Sequence, residues 1–197
     1  MSITLIIVIA ACTLLFLWAM TVYNRLIVLK NELKNAYGQI DVQLKRRYDQ
    51  IPNLVETAKK YLSHERETLE AVIAARSRAH TASAQLQHAP ADGKAIKDLN
   101  HAEAMLHGSL GRLLALRESY PELKADRTIA ELNEELTSIE NRVGFARQAY
   151  NDAILAYKIA AEQFPDVLLA KLFGFGGLPM LQATESAEER KAPKVQF

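Results

Sequence analysis

Apolar side chains recur along most of this chain at alternating steps of three and four. That is the period of a helix that buries one side. Between residues 129 and 164 the steps run unbroken through Ile129, Leu132, Leu136, Ile139, Val143, Ala146, Tyr150, Ala153, Tyr157, Ala160 and Phe164. Such a seam suits knobs-into-holes packing. Thr128-Ile129-Ala130-Glu131 has the capping-box form, so Thr128 or Asp126 can start this helix, and Pro165 ends it. Ile96, Leu99, Leu106, Leu110, Leu113 and Leu116 predict a second helix over 92–119, with Asp92 as N-cap and Pro121 as stop. Residues 89–93 are then a loop. Leu69, Val72, Ile73 and Ala79 predict another helix over 64–87. Upstream, Leu26, Leu29, Leu33, Ala36, Ile40, Leu44, Ile51, Leu54 and Ala58 carry a similar seam. Pro52 lies within it and should bend or break the helix near Gln50.

The first segment has a different pattern. No charged side chain occurs in residues 1–24, and residues 3–22 are apolar apart from hydroxyl-bearing side chains. Twenty residues of helix span roughly 30 Å, the thickness of the hydrocarbon core. Trp18 and Tyr23 stand where amphipathic aromatics favour the interface, and Arg25, Lys30 and Lys34 follow. A cleaved signal peptide would carry a basic start, which is absent. Ile9-Ala10-Ala11-Cys12 has the form of a lipobox, but the run stays apolar to Met20, unlike a mature lipoprotein. The segment therefore reads as a retained anchor. The basic residues follow the span, which predicts an outside N-terminus and a cytoplasmic body in the bacterial inner membrane.

The expected fold is all-α, with the transmembrane helix continuing into a long antiparallel four-helix bundle. The chain divides into an anchor (1–24), a bundle (25–164) and a C-terminal tail (165–197). The tail begins with an apolar cluster of Leu168, Leu169, Leu172, Phe173 and Phe175, broken by glycines, and turns polar over 184–194. The cluster either packs on the bundle or lies at a membrane surface.

Composition narrows the function classes. The 197 residues carry a net charge of +1 and 7% aromatics, which argues against a nucleic-acid binder. Cys12 is the single cysteine, so no intrachain disulfide or cysteine-based zinc site can form. His64-Glu65-Arg66-Glu67-Thr68 starts like a zinc-protease motif but lacks the second histidine that puts two ligands on one helix face. His101 and His107 project from different faces of a helix. Glu131, Glu134, Glu135 and Glu140 crowd the start of the last helix, where negative charge is favourable, and no Glu-x-x-His repeat accompanies them. Gly174-Phe175-Gly176-Gly177 lacks the Lys-Ser/Thr of a phosphate loop. No metal, cofactor or catalytic constellation emerges.

Lys45-Arg46-Arg47 is the candidate partner contact. It lies roughly 35 Å beyond the membrane exit along a continuous helix. A surface potential that decays within about 8 Å would not reach it. Arg25 and Lys30, with Trp18 and Tyr23, are the candidate membrane-interface residues.

Several separated motifs coincide in order. They are Tyr23-Asn24, Leu29-Lys30-Asn31, the run Gln39-Ile40-Asp41-Val42-Gln43-Leu44-Lys45-Arg46-Arg47, and Asp49-Gln50-Ile51-Pro52-Asn53-Leu54-Val55-Glu56-Thr57. Then come Tyr120-Pro121-Glu122-Leu123-Lys124-Ala125, Ile139-Glu140-Asn141-Arg142 and Ala146-Arg147-Gln148-Ala149-Tyr150-Asn151. Phe164-Pro165, Lys171-Leu172-Phe173-Gly174-Phe175 and Pro193-Lys194-Val195-Gln196-Phe197 close the series. Over nearly its whole length the chain resembles the bacterial LemA family. The resemblance implies a single N-terminal span, a cytoplasmic helical bundle and no established catalysis. It also implies, from relatives associated with magnetosome membranes, a role in membrane organisation.

These readings converge on a non-enzymatic, membrane-anchored scaffold or adaptor that presents helix faces to copies of itself or to other membrane proteins. Two alternatives stay open: a membrane-shaping protein whose tail binds the bilayer interface, and a ligand sensor or enzyme with a site in the bundle core. Converging buried polar groups would mark the last, and the seams alone present none.

Overall fold

A computed structural model describes residues 2–181. The polar stretch 184–194 and the motif ending in Phe197 lie outside the described residues. Six helices and no strands occur among those described: α1 (Ile3–Lys59), α2 (Arg66–His88), α3 (Gly93–Leu116), α4 (Pro121–Ala125), α5 (Arg127–Glu162) and α6 (Asp166–Leu172). The fold is all-α. α1 packs along α5 and α2, and α2 packs along α3.

Two aspartates set helix starts as the sequence suggests. The Asp92 carboxylate accepts from the Lys94 amide at 2.8 Å, and the Asp126 carboxylate accepts from the Ile129 amide at 3.0 Å. Each satisfies an amide that has no partner within its own helix. Asp126, not Thr128, therefore caps α5.

Pro52 does not end α1. The helix runs through it to Lys59. Proline at 52 has no N–H to give the carbonyl of Tyr48, four residues earlier. The Arg76 side chain, from α2, donates Nε–H to that carbonyl at 2.6 Å instead. A neighbouring helix supplies the bond that the proline removes.

The four long helices do not share one length. The loop joining α2 to α3 is pinned at the level of Tyr37 and Tyr150. The Tyr150 hydroxyl donates to the Pro90 carbonyl at 2.6 Å, and its ring meets that of Tyr37 edge-on at 5.9 Å. Beyond this level, towards the apolar N-terminus, α1 and α5 continue as a pair. Val22 and Leu26 of α1 bury against Ala160 and Ala161 of α5 and Ala170 of α6.

After α6 the chain climbs back along the bundle. Leu178 and Leu181 join the main core. Asn151 holds Leu181 from both sides, donating to its carbonyl at 2.8 Å and accepting from its amide at 2.9 Å. Asn100 donates to the Met180 carbonyl at 3.2 Å. A Cβ at Gly93 would stand 3.2 Å from the Pro179 ring, so glycine at the start of α3 admits the passing segment. The apolar tail thus divides: one part closes the short side of the bundle, and the other stays outside.

At the opposite end, two tyrosines tie the helix turns together. Tyr61 donates to Asp126 at 2.6 Å and Tyr120 to Glu65 at 3.2 Å. His64 and Glu65 lie in the turn between α1 and α2, so the zinc-protease-like string only partly enters a helix.

Candidate functional site

The run Lys45-Arg46-Arg47 is split by helix geometry. Lys45 is exposed and pairs with the buried Asp41 at 2.9 Å. Asp41 also accepts from Ser83 Oγ at 3.2 Å and from Gln87 Nε2 at 2.9 Å, which ties α1 to α2. Arg46 is exposed beside the α1–α5 groove, near Asp49, Glu135 and Arg142. Arg47, expected on the same surface, is instead 2% exposed. It stands three residues after Leu44 and four before Ile51, a seam position, so the helix turns it into the core.

Around Arg47 lies a buried charged centre. Its guanidinium donates through Nη1 to Glu103 of α3 at 3.0 Å and through Nη2 to Glu140 of α5 at 2.8 Å. The Tyr48 hydroxyl donates to the other oxygen of Glu103 at 2.7 Å. His80 of α2 meets the Tyr48 ring edge-on at 5.8 Å. Arg147 of α5 is also buried. Burial pulls its guanidinium below its ordinary pKa, while the charges of Glu103 and Glu140 oppose that shift. Burial, then the Glu103 charge, pushes the Tyr48 hydroxyl far above the ordinary tyrosine value, so it remains a donor at physiological pH. Two cations and two carboxylates balance.

Charges this deep persist only when paired and hydrogen-bonded. Here the donors and acceptors bind three helices to one another. A recess of about 220 Å³ between α3 and α5 opens onto the Arg47–Glu140 pair, beside His107, Asn133 and Thr137. Among the described residues, no group of three or more His, Cys, Asp or Glu side chains gathers as a metal site requires.

The second locus is where the apolar part of α1 meets the bundle. Residues 3–17 are exposed on all sides, and α1 contains an apolar stretch long enough to cross a membrane. Trp18 is half-buried. The Tyr23 ring meets Phe173 edge-on at 5.1 Å and Phe175 at 5.8 Å. Arg25 lies 3.9 Å from Asp166 at the start of α6, and Lys30 is exposed. Leu169 and Phe175 pack inward, while Leu168, Leu172 and Phe173 face out.

The LemA family profile matches residues 36–197. The chain belongs to the LemA family. The matched region includes the charged centre, the tyrosine ties and α6. Two relatives are magnetosome proteins MamQ 1 and MamQ 2 of Paramagnetospirillum magneticum, each 26% identical over 168 residues. That match covers 78% of this chain and 62% of each relative. Magnetosome protein MamQ of Magnetospirillum gryphiswaldense is 32% identical over 84 residues, 43% of this chain and 31% of the relative. The chain thus matches less than two thirds of the length of these LemA-type relatives.

A further open groove lies at the tip farthest from the apolar segment, between the end of α1 and the start of α2, with a volume of about 620 Å³. Val55, Leu62, Leu69 and Ile73 line it, and Glu56, Lys59, Arg66 and Glu70 form a rim of both signs. Neither this groove nor the charged centre was anticipated from the seams.

Proposed function

We propose that this LemA-family chain is a non-enzymatic, membrane-anchored scaffold. Its apolar N-terminal segment crosses the bacterial inner membrane with the N-terminus outside. The cytoplasmic bundle presents helix faces and its tip groove to copies of itself or to other membrane proteins. The observation that carries this reading is the continuity of α1 from Ile3 to Lys59. One helix is both the apolar segment and the longest wall of the core, so the anchor and the bundle are rigidly joined. The pairing of Arg47 with carboxylates from two other helices favours a structural role for these charges. Similarity to proteins named as magnetosome proteins points towards membrane organisation.

The test is the native mass of the full-length chain extracted in mild detergent, with identification of whatever co-elutes. A homogeneous assembly of this chain supports self-assembly, and a defined second protein supports an adaptor role. A bare monomer overturns the reading. Orientation is checked by S63C at the tip: an impermeant maleimide should label it only after spheroplasts are lysed.

A further inference from the structure

The freely exposed part of the apolar helix is too short for a bilayer. Residues 3–17 are 15 residues, or about 22 Å of helix, whereas the hydrocarbon core is about 30 Å thick. The apolar run continues without a charge through Trp18 to Val22, and with those residues it reaches that thickness. At that level α1 is no longer bare. Trp18 and Ala19 are half-buried, and Val22 is buried by Ala160, Ala161 and Ala170. The end of α5 and the whole of α6 therefore stand beside the last turn of the span.

The outer surface of this foot is apolar. Phe164, Leu168 and Leu172 follow at intervals of four and are 79%, 61% and 76% exposed, and Phe173 is 49% exposed. In water such a patch would be costly. Its orientation is fixed by the chain. Phe175 donates its amide to the Ala170 carbonyl at 2.8 Å across Gly174, whose φ is +73°. This is a helix-ending turn that only glycine adopts without strain. It folds Phe175 inward and leaves Phe173 beside Tyr23 at the rim. Lys171 is exposed on the same short helix.

We propose that α6 and its flanks are a second, non-spanning membrane contact. Phe164, Leu168, Leu172 and Phe173 lie in the interfacial layer of the leaflet where α1 leaves the bilayer, and Lys171 lies among its anionic headgroups. The occupant follows from continuity: these side chains flank an apolar run that continues to their level. Interfacial helices seat an apolar face in this layer while basic residues meet the headgroups. The proposal rests on the membrane anchorage above and adds to it. Two contacts side by side restrain tilt and rotation of the bundle, which one helix alone would leave free.

Trp18 is the single tryptophan, which makes the test direct. The full-length chain is reconstituted in proteoliposomes containing phosphatidylglycerol and lipids brominated near the headgroup end of the acyl chain. Tryptophan fluorescence is then compared with that in unbrominated vesicles. Trp18 in the parent chain should be quenched; if it is not, the anchorage itself fails. In W18F/L172W the indole should be quenched at least about threefold more than in W18F/F145W, whose reporter sits far up the bundle. W18F/L168W provides a second reporter on the same face. Quenching of Trp18 with none at 172 or 168 overturns the foot and leaves the anchor standing. Protection of L172C from an aqueous maleimide without lipid quenching of L172W would mean that protein covers the patch, and would also overturn it.

Discussion

Above Tyr37, α1 is one of four helices around a core that contains a balanced set of charges. Below Tyr37 it has only α5 and the returning tail beside it, and the contacts are among alanines, Val22, Leu26 and aromatic rings. The two regions use the same helix in opposite ways. The upper part can hold Arg47 at 2% exposure because α3 and α5 each bring a carboxylate to it. The lower part has fewer walls and carries only a loose pair, Arg25 with Asp166 at 3.9 Å. The number of surrounding helices thus sets how much charge a position on α1 can take inward.

The strongest way to break this contrast is R47M. It removes the cation that bridges Glu103 and Glu140, and leaves Arg147 as the remaining buried cation beside them. The expected loss is about 3–5 kcal/mol of bundle stability, read as a fall in the urea midpoint of helicity for the full chain in detergent. A loss under about 1 kcal/mol, the scale of a surface ion pair, would mean that the centre is solvated. Adding E103Q should recover part of the loss, since the Tyr48 hydroxyl keeps an acceptor.

A smaller effect sharpens the role of Pro52. R76M should cost about 1–2 kcal/mol, because it leaves the Tyr48 carbonyl without a donor. In a P52A chain the amide at 52 can reach that carbonyl, so the same substitution should cost less. Equal losses in the two backgrounds would separate Arg76 from the proline.

In the lower region the expected effects are local. Y23A removes the ring against which Phe173 and Phe175 pack. Amide exchange across α6 should rise about tenfold while the urea midpoint of the bundle stays in place. A coupled fall in both would show that the two regions unfold together.

The smallest effect concerns the tip. Hydrogen bonds from Tyr61 and from the Ile129 amide hold the Asp126 carboxyl below the usual aspartate pKa. A depressed carboxyl stabilises the fold fully above its unfolded value, about 3.9, and loses that effect as pH falls through the folded one. Tm against pH should therefore drop less steeply below about pH 4 in D126A than in the parent chain. Identical acid limbs would remove Asp126 from the account.

Much of this architecture is legible in the sequence because its seams are regular. The four long helices and the caps at Asp92 and Asp126 follow from spacing and local chemistry. The charged centre does not show in seams of apolar residues alone. Its signal lies in the gaps. The α3 seam steps from Leu99 to Leu106, and the position skipped between them is Glu103. The α1 seam steps from Leu44 to Ile51 past Arg47 and Tyr48. On α5, Arg147 follows Val143 by four and precedes Tyr150 by three, so it competes for the seam with the smaller, apolar Ala146. Opposite charges at seam positions of three helices predict one another. The continuation of α1 through Pro52 had no local signal, since the compensating donor comes from residue 76. The split of the tail was hidden for a related reason: Leu168 and Leu169 look alike until a neighbouring helix gives them an inside and an outside.

The unbroken α1 also measures a height. From Tyr23 to Lys59 it carries 37 residues, about 54 Å of helix contour. On the proposed anchorage, a partner in the tip groove would be held at that stand-off from the bilayer. The tip is far outside the reach of headgroup charge, about 8 Å at physiological salt. Copies of this chain standing side by side would form a spacer of uniform thickness, setting by backbone geometry alone the gap between a membrane and whatever the tips hold.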